Sequence, residues 1–469
     1  MPGQIGGLAQ YEHDALTDLI RIYEEHYQKN QEKEKYYNGN IPLSEVNLGI
    51  ALPDGLAKLE IGCSWGEKCV DVLAARSMFD GFVGLNGESV EALEELTRGN
   101  RLIAEYMKTC RDELEYGCSF ATLSADPSLG CKIRFHSPMT AAAKWDGDLG
   151  RIAYGLAVID SKPDNRPEAS WIPSVINLYL DHEIVVFVRS DQVWSFTRYP
   201  HKMGRPLMEP LIWNATSKKV FGRSRIKDPI RRLIQGYVRT VANATIGLEF
   251  ATSPQKYLLG VTDEQYDAVI NQKFRQYVGA ILASTTNPET GDNPVFGQLQ
   301  QGNIEPHVQM LRMLSTQFSA ATGLTVTDTG VVNDANPTSS DAILAQSQTL
   351  VAMAEQLNAG NGDALRTIAL MALAISTDRK LEDLGEDEKA VIAHFKNPAM
   401  PSIAVTADAA IKIASARPGF ANTDTFLEMI GFDQADIRRI KAQETKARGL
   451  LTLSEEFSND NGRELAQVP

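Results

Sequence analysis

Near the start of the chain the apolar positions recur with the period of a helix. Leu16, Leu19, Ile20 and Tyr23 fall at i, i+3, i+4 and i+7, so the spacing predicts a helix from Tyr11 to about Tyr37. Asn38-Gly39-Asn40 stops it, and the mixed charges after Glu24 read as a solvated face. A second helical pattern covers Ser64 to Met78 with Val70, Val72, Leu73 and Ala74, ending before Phe79-Asp80-Gly81. A third runs from Glu88 to about Glu115. Three helices are therefore expected before the first strand.

From Cys118 to Asn214 the pattern changes to short β-type runs at Cys131–Phe135, Ile152–Ile159, Val175–Leu180, Ile184–Val188 and Val193–Thr197. Asp181-His182 and Ser190-Asp191 separate the last three, which predicts an antiparallel meander. Lys162 to Ser174, with three prolines, reads as a loop.

Beyond Asn214, Pro229 suits the first turn of a helix running to about Phe250, closed by Thr252-Ser253-Pro254. Residues 255–305 form an insert with a helical pattern over Asp263–Ala283 and a loop-rich centre, Thr285–Pro294. Pro306 opens another helix that ends at Thr322-Gly323. The polar segment up to Thr338 has no apolar period and reads as a loop. Ser339 or Ser340 can cap the next helix, Asp341 to about Ser376, which Asn358-Ala-Gly-Asn-Gly362 is expected to kink or break. Residues 378–389 read as an acidic, exposed connection, and a short strand followed by helices is expected from Pro401.

Charge narrows the picture. The chain carries 60 acidic against 46 basic residues, a net charge of −14, which argues against a surface that grips nucleic acid everywhere. Hydrophobic residues at 43% and 469 residues in all are enough for more than one packed region and for an interface besides. No apolar run approaches the roughly 18 residues of a membrane span. The five cysteines, Cys63, Cys69, Cys110, Cys118 and Cys131, are odd in number and include no C-x-x-C pair, so reduced thiols are the simpler reading.

Candidate chemistry is sparse. There is no G-x-x-x-x-G-K-[ST] phosphate loop, G-x-S-x-G elbow or H-E-x-x-H helix. Cys118 and His136 could in principle form the thiol and base of a hydrolase, although such a pair arises easily by chance. Asp146-Gly-Asp148 reads as a turn, because the later ligands of a calcium loop are missing. The seven histidines are scattered, and neither a metal nor a cofactor is indicated. One electrostatic feature stands out, the basic stretch Lys218, Lys219, Arg223, Arg225, Lys227, Arg231, Arg232 and Arg239, with Asp228 as its only acid. It reads either as a phosphate or acidic-partner surface or as salt bridging within or between subunits.

The order of several short motifs resembles a known family. His201-Lys-Met-Gly-Arg-Pro206, Trp213-Asn214, Phe221-Gly-Arg-Ser-Arg-Ile226 and Ser253-Pro-Gln-Lys-Tyr-Leu-Leu-Gly260 resemble the middle of portal proteins from tailed bacteriophages with long non-contractile tails. Asn336-Pro-Thr-Ser-Ser-Asp-Ala-Ile343 with Ala352-Met-Ala-Glu355 is similar to that family's long-helix start. Tyr36-Tyr-Asn-Gly39, Val70–Arg76 with Gly81-Phe82, and His136-Ser137-Pro138 extend the likeness over nearly the whole chain.

The resemblance implies an α+β portal fold: a helix-rich wing containing an antiparallel sheet, a helical stem, an α/β clip, a long kinked helix and a helical crown. Carried onto this sequence, the wing is 1–224, the stem helices 225–252 and 306–322, and the clip 253–305. A tunnel loop spans 323–338, the long kinked helix and its connection 339–400, and the crown 401–469. Thr327, Asp328, Asn333, Asp334 and Asn336 would line the DNA path, and Arg223, Arg225, Arg231, Arg232 and Arg239 would meet a partner or a neighbouring subunit. It implies a non-enzymatic homo-oligomeric ring, usually a dodecamer, at the capsid portal vertex of the virion. Such a ring is assembled in the host bacterial cytoplasm, and double-stranded phage DNA is packaged and ejected through it. Its partners are the terminase, the head-tail adaptor and the major capsid and scaffold proteins, with no membrane. The Cys118–His136 hydrolase and a soluble DNA-binding adaptor using 218–239 are the competing readings.

Overall fold

The computed structural model describes residues 6–42, 60–84, 90–163, 171–190, 193–252, 256–259, 291, 293, 295–298, 303–331, 340–399, 403–432, 436–437 and 439–447. Helices and antiparallel sheets are mixed, as an α+β fold requires.

Helix α1 (Gln10–Tyr37) opens the chain, and its apolar stripe packs on one face of a five-stranded sheet. That sheet contains β6 (Ala141–Asp146), β7 (Arg151–Pro163), β8 (Trp171–Tyr179), β9 (Glu183–Ser190) and β10 (Val193–Pro200), in the order β10-β9-β8-β7-β6. Leu156 with Val158, Ile176 with Leu178 and Val185 with Phe187 each sit two residues apart, so the strand pleat sends them all to the face that covers Ala15, Leu16 and Leu19. A forked ion pair fixes the contact. Arg198 donates from Nε and from a terminal nitrogen to the two oxygens of fully buried Glu12, each at 2.7 Å. The meander is as the sequence predicts, though β7 reaches Pro163 and β8 starts at Trp171, so only 164–170 of the expected loop lies outside the described residues.

The larger core lies under a three-stranded sheet, β11-β4-β5, built from β4 (Cys118–Asp126), β5 (Gly130–His136) and β11 (Met208–Ile212). Two expectations fail here. Strands come earlier than predicted: β1 (Asn40–Pro42) pairs with β2 (Glu60–Gly62), and β3 (Phe79–Val83) follows the second helix, α2 (Trp65–Ala74). The third helix is two helices, α3 (Glu91–Gly99) and α4 (Leu102–Tyr116). Asn100 ends the first because its buried amide donates to Leu96 O and Cys131 O and accepts from Ile133 N, and Arg101 then turns left-handed at φ 51°.

The strand expected beyond Pro401 lies earlier, as β14 (Ile392–Phe395), antiparallel to β3. From 403 the chain is helical, with α9 (Ile403–Ala416) and α10 (Asp424–Ile430).

Helix α5 (Asp228–Thr252) packs against α6 (Glu305–Thr322), and the short strands β12 (Lys256–Leu259) and β13 (Val295–Gln298) pair between them in sequence. The expected Asp263–Ala283 helix lies outside the described residues. Helix α7 (Ser340–Ser376) runs 37 residues through Asn358–Gly362 without a break. Close packing does not demand either glycine: a Cβ at Gly362 would lie 3.7 Å from the Phe395 ring, and one at Gly360 4.0 Å from Ile212 O, both ordinary contacts. Between them Asn361 is fully buried, its amide donating to the Tyr106 hydroxyl at 2.9 Å and to Glu113 at 2.7 Å, which locks α7 to α4. The connection after α7 holds a 3-10 turn, Leu381–Asp383, and a one-turn helix, α8 (Glu386–Lys389), anchored by buried Leu384.

Candidate functional site

Two places carry the residues singled out by sequence. The first is the junction of α2, α5, α6 and α7. Trp65 is buried between Tyr237 and Phe318, each ring centroid 4.7 Å away, and its indole donates to Thr329 O at 3.0 Å. Left-handed Gly323 (φ 74°) ends α6 against the Met353 methyl.

The polar segment beyond Gly323 is not wholly irregular, because Val326–Thr329 forms a 3-10 turn. Asp328 closes it by accepting from Thr325 N and Thr325 Oγ1 at 2.9 and 2.8 Å, so its carboxylate is engaged within the turn. Thr327 is exposed at its tip, hydroxyl to hydroxyl with Thr325 at 2.6 Å. Ser315 and Thr329 exchange a 2.6 Å bond that ties the turn to α6. Asn333, Asp334 and Asn336 lie outside the described residues.

The basic stretch divides. Arg225 is buried, donating from Nε to Cys69 O at 2.6 Å and from a terminal nitrogen to Thr322 O at 2.7 Å. It is an internal strut between α2 and α6, unavailable to an outside partner. Arg231 pairs with Glu32 and Asp228 and lies 5.7 Å from the centre of the Tyr36 ring. Arg223 and Arg232 are exposed, and Arg239 is half-buried.

The second place is a cleft of about 700 Å³ between α1, β6 and residues 219–231. Tyr23, Phe120, Ala142 and Phe221 give it an apolar wall, and Lys29, Lys33, Lys219, Arg223, Lys227 and Arg231 line it with positive charge. Lys33 reaches in from α1, donating to Tyr116 O at 2.9 Å and Asn30 Oδ1 at 3.0 Å, and burial holds its ammonium below the usual lysine range. Sequence reasoning missed the α1 half of this site. His26, Lys29 and Lys33 stand at i, i+3 and i+7 on one helix face, a signal that mixed charges around them hid.

Cys118 borders the cleft but does not join His136. Cys118, Phe120 and Thr122 alternate onto one face of β4, and His136, opposite Phe120, turns its ring to Thr122 Oγ1 at 2.9 Å, away from Cys118. Burial pushes the thiol up to about 12 and the imidazole down to about 4, the reverse of an activated pair. All five cysteines are free and buried. Asp146 accepts from Asp148 N and Leu149 N, the turn that the sequence predicts. Among the described residues no three His, Cys, Asp or Glu side chains gather as a metal site, and no helix is long and apolar enough to cross a membrane.

The family model for phage portal proteins of the SPP1 Gp6-like type matches residues 16–449. The chain belongs to that portal family. Relatives include the portal protein of Mycobacterium phage L5, 24% identical over 431 residues that cover 88% of this chain and 85% of that one. The portal protein of Mycobacterium phage D29 is 24% identical over 454 residues, 93% of this chain and 90% of its own. Among solved structures, a chain from the virion of a native gene transfer agent particle aligns with a TM-score of 0.47 and 12% identity over 78% of this chain and 89% of that one. One from the neck of an empty particle of the same agent aligns at 0.46 and 14% over 82% and 95%. The match to the portal family spans both the α1–sheet layer and the junction around Trp65.

Proposed function

We propose that this portal-family chain closes with copies of itself into a ring, usually of twelve, at one capsid vertex, and that genome DNA passes through the ring. The observation that carries this reading is the portal-family match over residues 16–449. On it, the layers around α1 and the five-stranded sheet are the wing (1–224). Helices α5 and α6 supply the stem (225–252 and 306–322), with the β12–β13 pair in the clip (253–305). The 3-10 turn begins the tunnel loop (323–338), α7 leads through 339–400, and the helices from Ile403 belong to the crown (401–469).

Physical chemistry supports a conduit over a clamp. A moving polyanion needs a wall without deep binding minima, and a chain at −14 with exposed hydroxyls such as Thr327 suits that need. A ring with no reaction of its own would dock the terminase during filling and the head-tail adaptor afterwards, contact the capsid and scaffold proteins, and stay in the virion after assembly in the host cytoplasm. The test is electron microscopy of the purified full-length chain. Axial rings with a central pore are expected, and a population of monomers without rings would reject the reading.

A further inference from the structure

We propose that the basic cleft seats the acidic connection after α7 of a second copy of this chain, so that each subunit holds its neighbour head to tail; this rests on the ring reading above. Four observations lead there. Lys29, Lys219, Arg223 and Lys227 line the cleft, are exposed except for their place in it, and make no ion pair among the described residues. A local excess of unpaired cations in a chain of net charge −14 calls for an acidic occupant, and every further copy of the chain offers one.

The most acidic described segment is the connection itself, where Glu382, Asp383, Glu386 and Asp387 are all exposed. Buried Leu384, the Arg379–Glu388 ion pair at 2.6 Å and the bond from Lys389 Nζ to Glu382 O hold it in one shape, so little ordering entropy would be lost on docking.

The two surfaces also stand well apart on one subunit. Cys118 and Phe120, at the start of β4, border the cleft. At the other end of that nine-residue strand, the turn into β5 meets the last turn of α7, where a Cβ on Gly130 would come 2.8 Å from that of Ser376. The acidic connection begins just beyond Ser376. The strand thus sets the cleft and the start of the acidic connection roughly 27 Å apart, at about 3.4 Å per residue. Complementary patches on different parts of one surface make a heterologous contact, which closes into a ring when its rotation divides the circle. The apolar wall of Tyr23, Phe120 and Phe221 lowers the polarity around each ion pair, strengthening it beyond an open-surface pair.

Zero-length carbodiimide coupling of the wild-type rings, read by mass spectrometry, tests the contact without a variant. Couplings from Lys29, Lys219 or Lys227 to Glu382, Asp383, Glu386 or Asp387 between isotopically distinct subunits are expected. Lys219→Glu with Arg223→Glu should weaken each subunit contact roughly tenfold, the factor that about 1.4 kcal/mol represents, and so lower ring yield sharply. Adding Glu382→Lys and Asp383→Lys should restore it. Rings that form normally in the reversal variant, with no coupling between these segments, would overturn the contact while leaving the ring intact. Couplings confined to one subunit would overturn it as well. If the reversal variant does not fold, the wild-type couplings decide alone, and wild-type protein that forms no ring at all would remove the reading beneath.

Discussion

Single residues here act through burial more than through charge. Glu113 is fully buried in α4, and desolvation pushes its carboxyl up to about 8, with the Asn361 amide pulling the other way. Its folded pKa lies above its unfolded one, so the folded chain binds a proton more tightly between pH 4.5 and 8. Stability is full below that window and falls as pH rises through it, by about 1.4 kcal/mol per pH unit. Asp112 and Glu115, raised by burial to about 6 and about 7, lean the same way. Glu12, held below the usual carboxylate range by Arg198, acts only at lower pH. Thermal melts should therefore show the wild-type chain gaining stability from pH 8 to pH 5. Glu113→Gln should be the more stable protein at pH 8 with a flatter profile, and an unchanged profile would contradict the burial argument. Arg225→Ala should cost about 3 kcal/mol in urea unfolding, because it strips the carbonyls of Cys69 and Thr322 of a charged donor at once.

At the scale of elements, the continuity of α7 through its two glycines makes a sharp prediction. Ordinary contact distances around both glycines leave room for a methyl group, so Gly360→Ala and Gly362→Ala should each stabilise the chain by about 0.5–1 kcal/mol in chemical unfolding. Loss of stability would mean that the helix needs its glycines to bend. Elements whose signals are local were legible: α1 from its stripe, α5 from Pro229, α6 from Gly323, and the meander from its turns. What failed depended on distant partners. The break at Asn100 requires β5 to capture its amide, and β3 requires β14 from far along the chain. The glycines of α7 suggest a break from sequence alone, yet the helix runs on through them, with Asn361 between them held by Tyr106 and Glu113. The cleft was half legible for the same reason: its 219–231 side is one run of sequence, whereas Lys29 and Lys33 join only when α1 lies along β6.

For the whole molecule, the distribution of charge separates a conduit from a DNA-binding adaptor. An adaptor working through 218–239 would need those cations free to displace counterions from phosphates, and its affinity would fall steeply with salt. The folded chain withholds two of them: Arg225 is spent on backbone carbonyls in the core, and Arg231 on Glu32, Asp228 and the Tyr36 ring. The remainder share a surface with a large acidic excess, which repels a duplex at long range. Fluorescence anisotropy with a labelled duplex at two salt concentrations should thus give weak binding and a shallow salt slope. Arg231→Ala with Arg232→Ala should leave both nearly unchanged, since Arg231 is already neutralised by its neighbours. The same variant should lose some thermal stability, because Glu32 and Asp228 are left without their shared cation. A steep slope abolished by the double substitution would instead place the duplex on this patch and transfer the basic stretch from subunit contact to DNA grip.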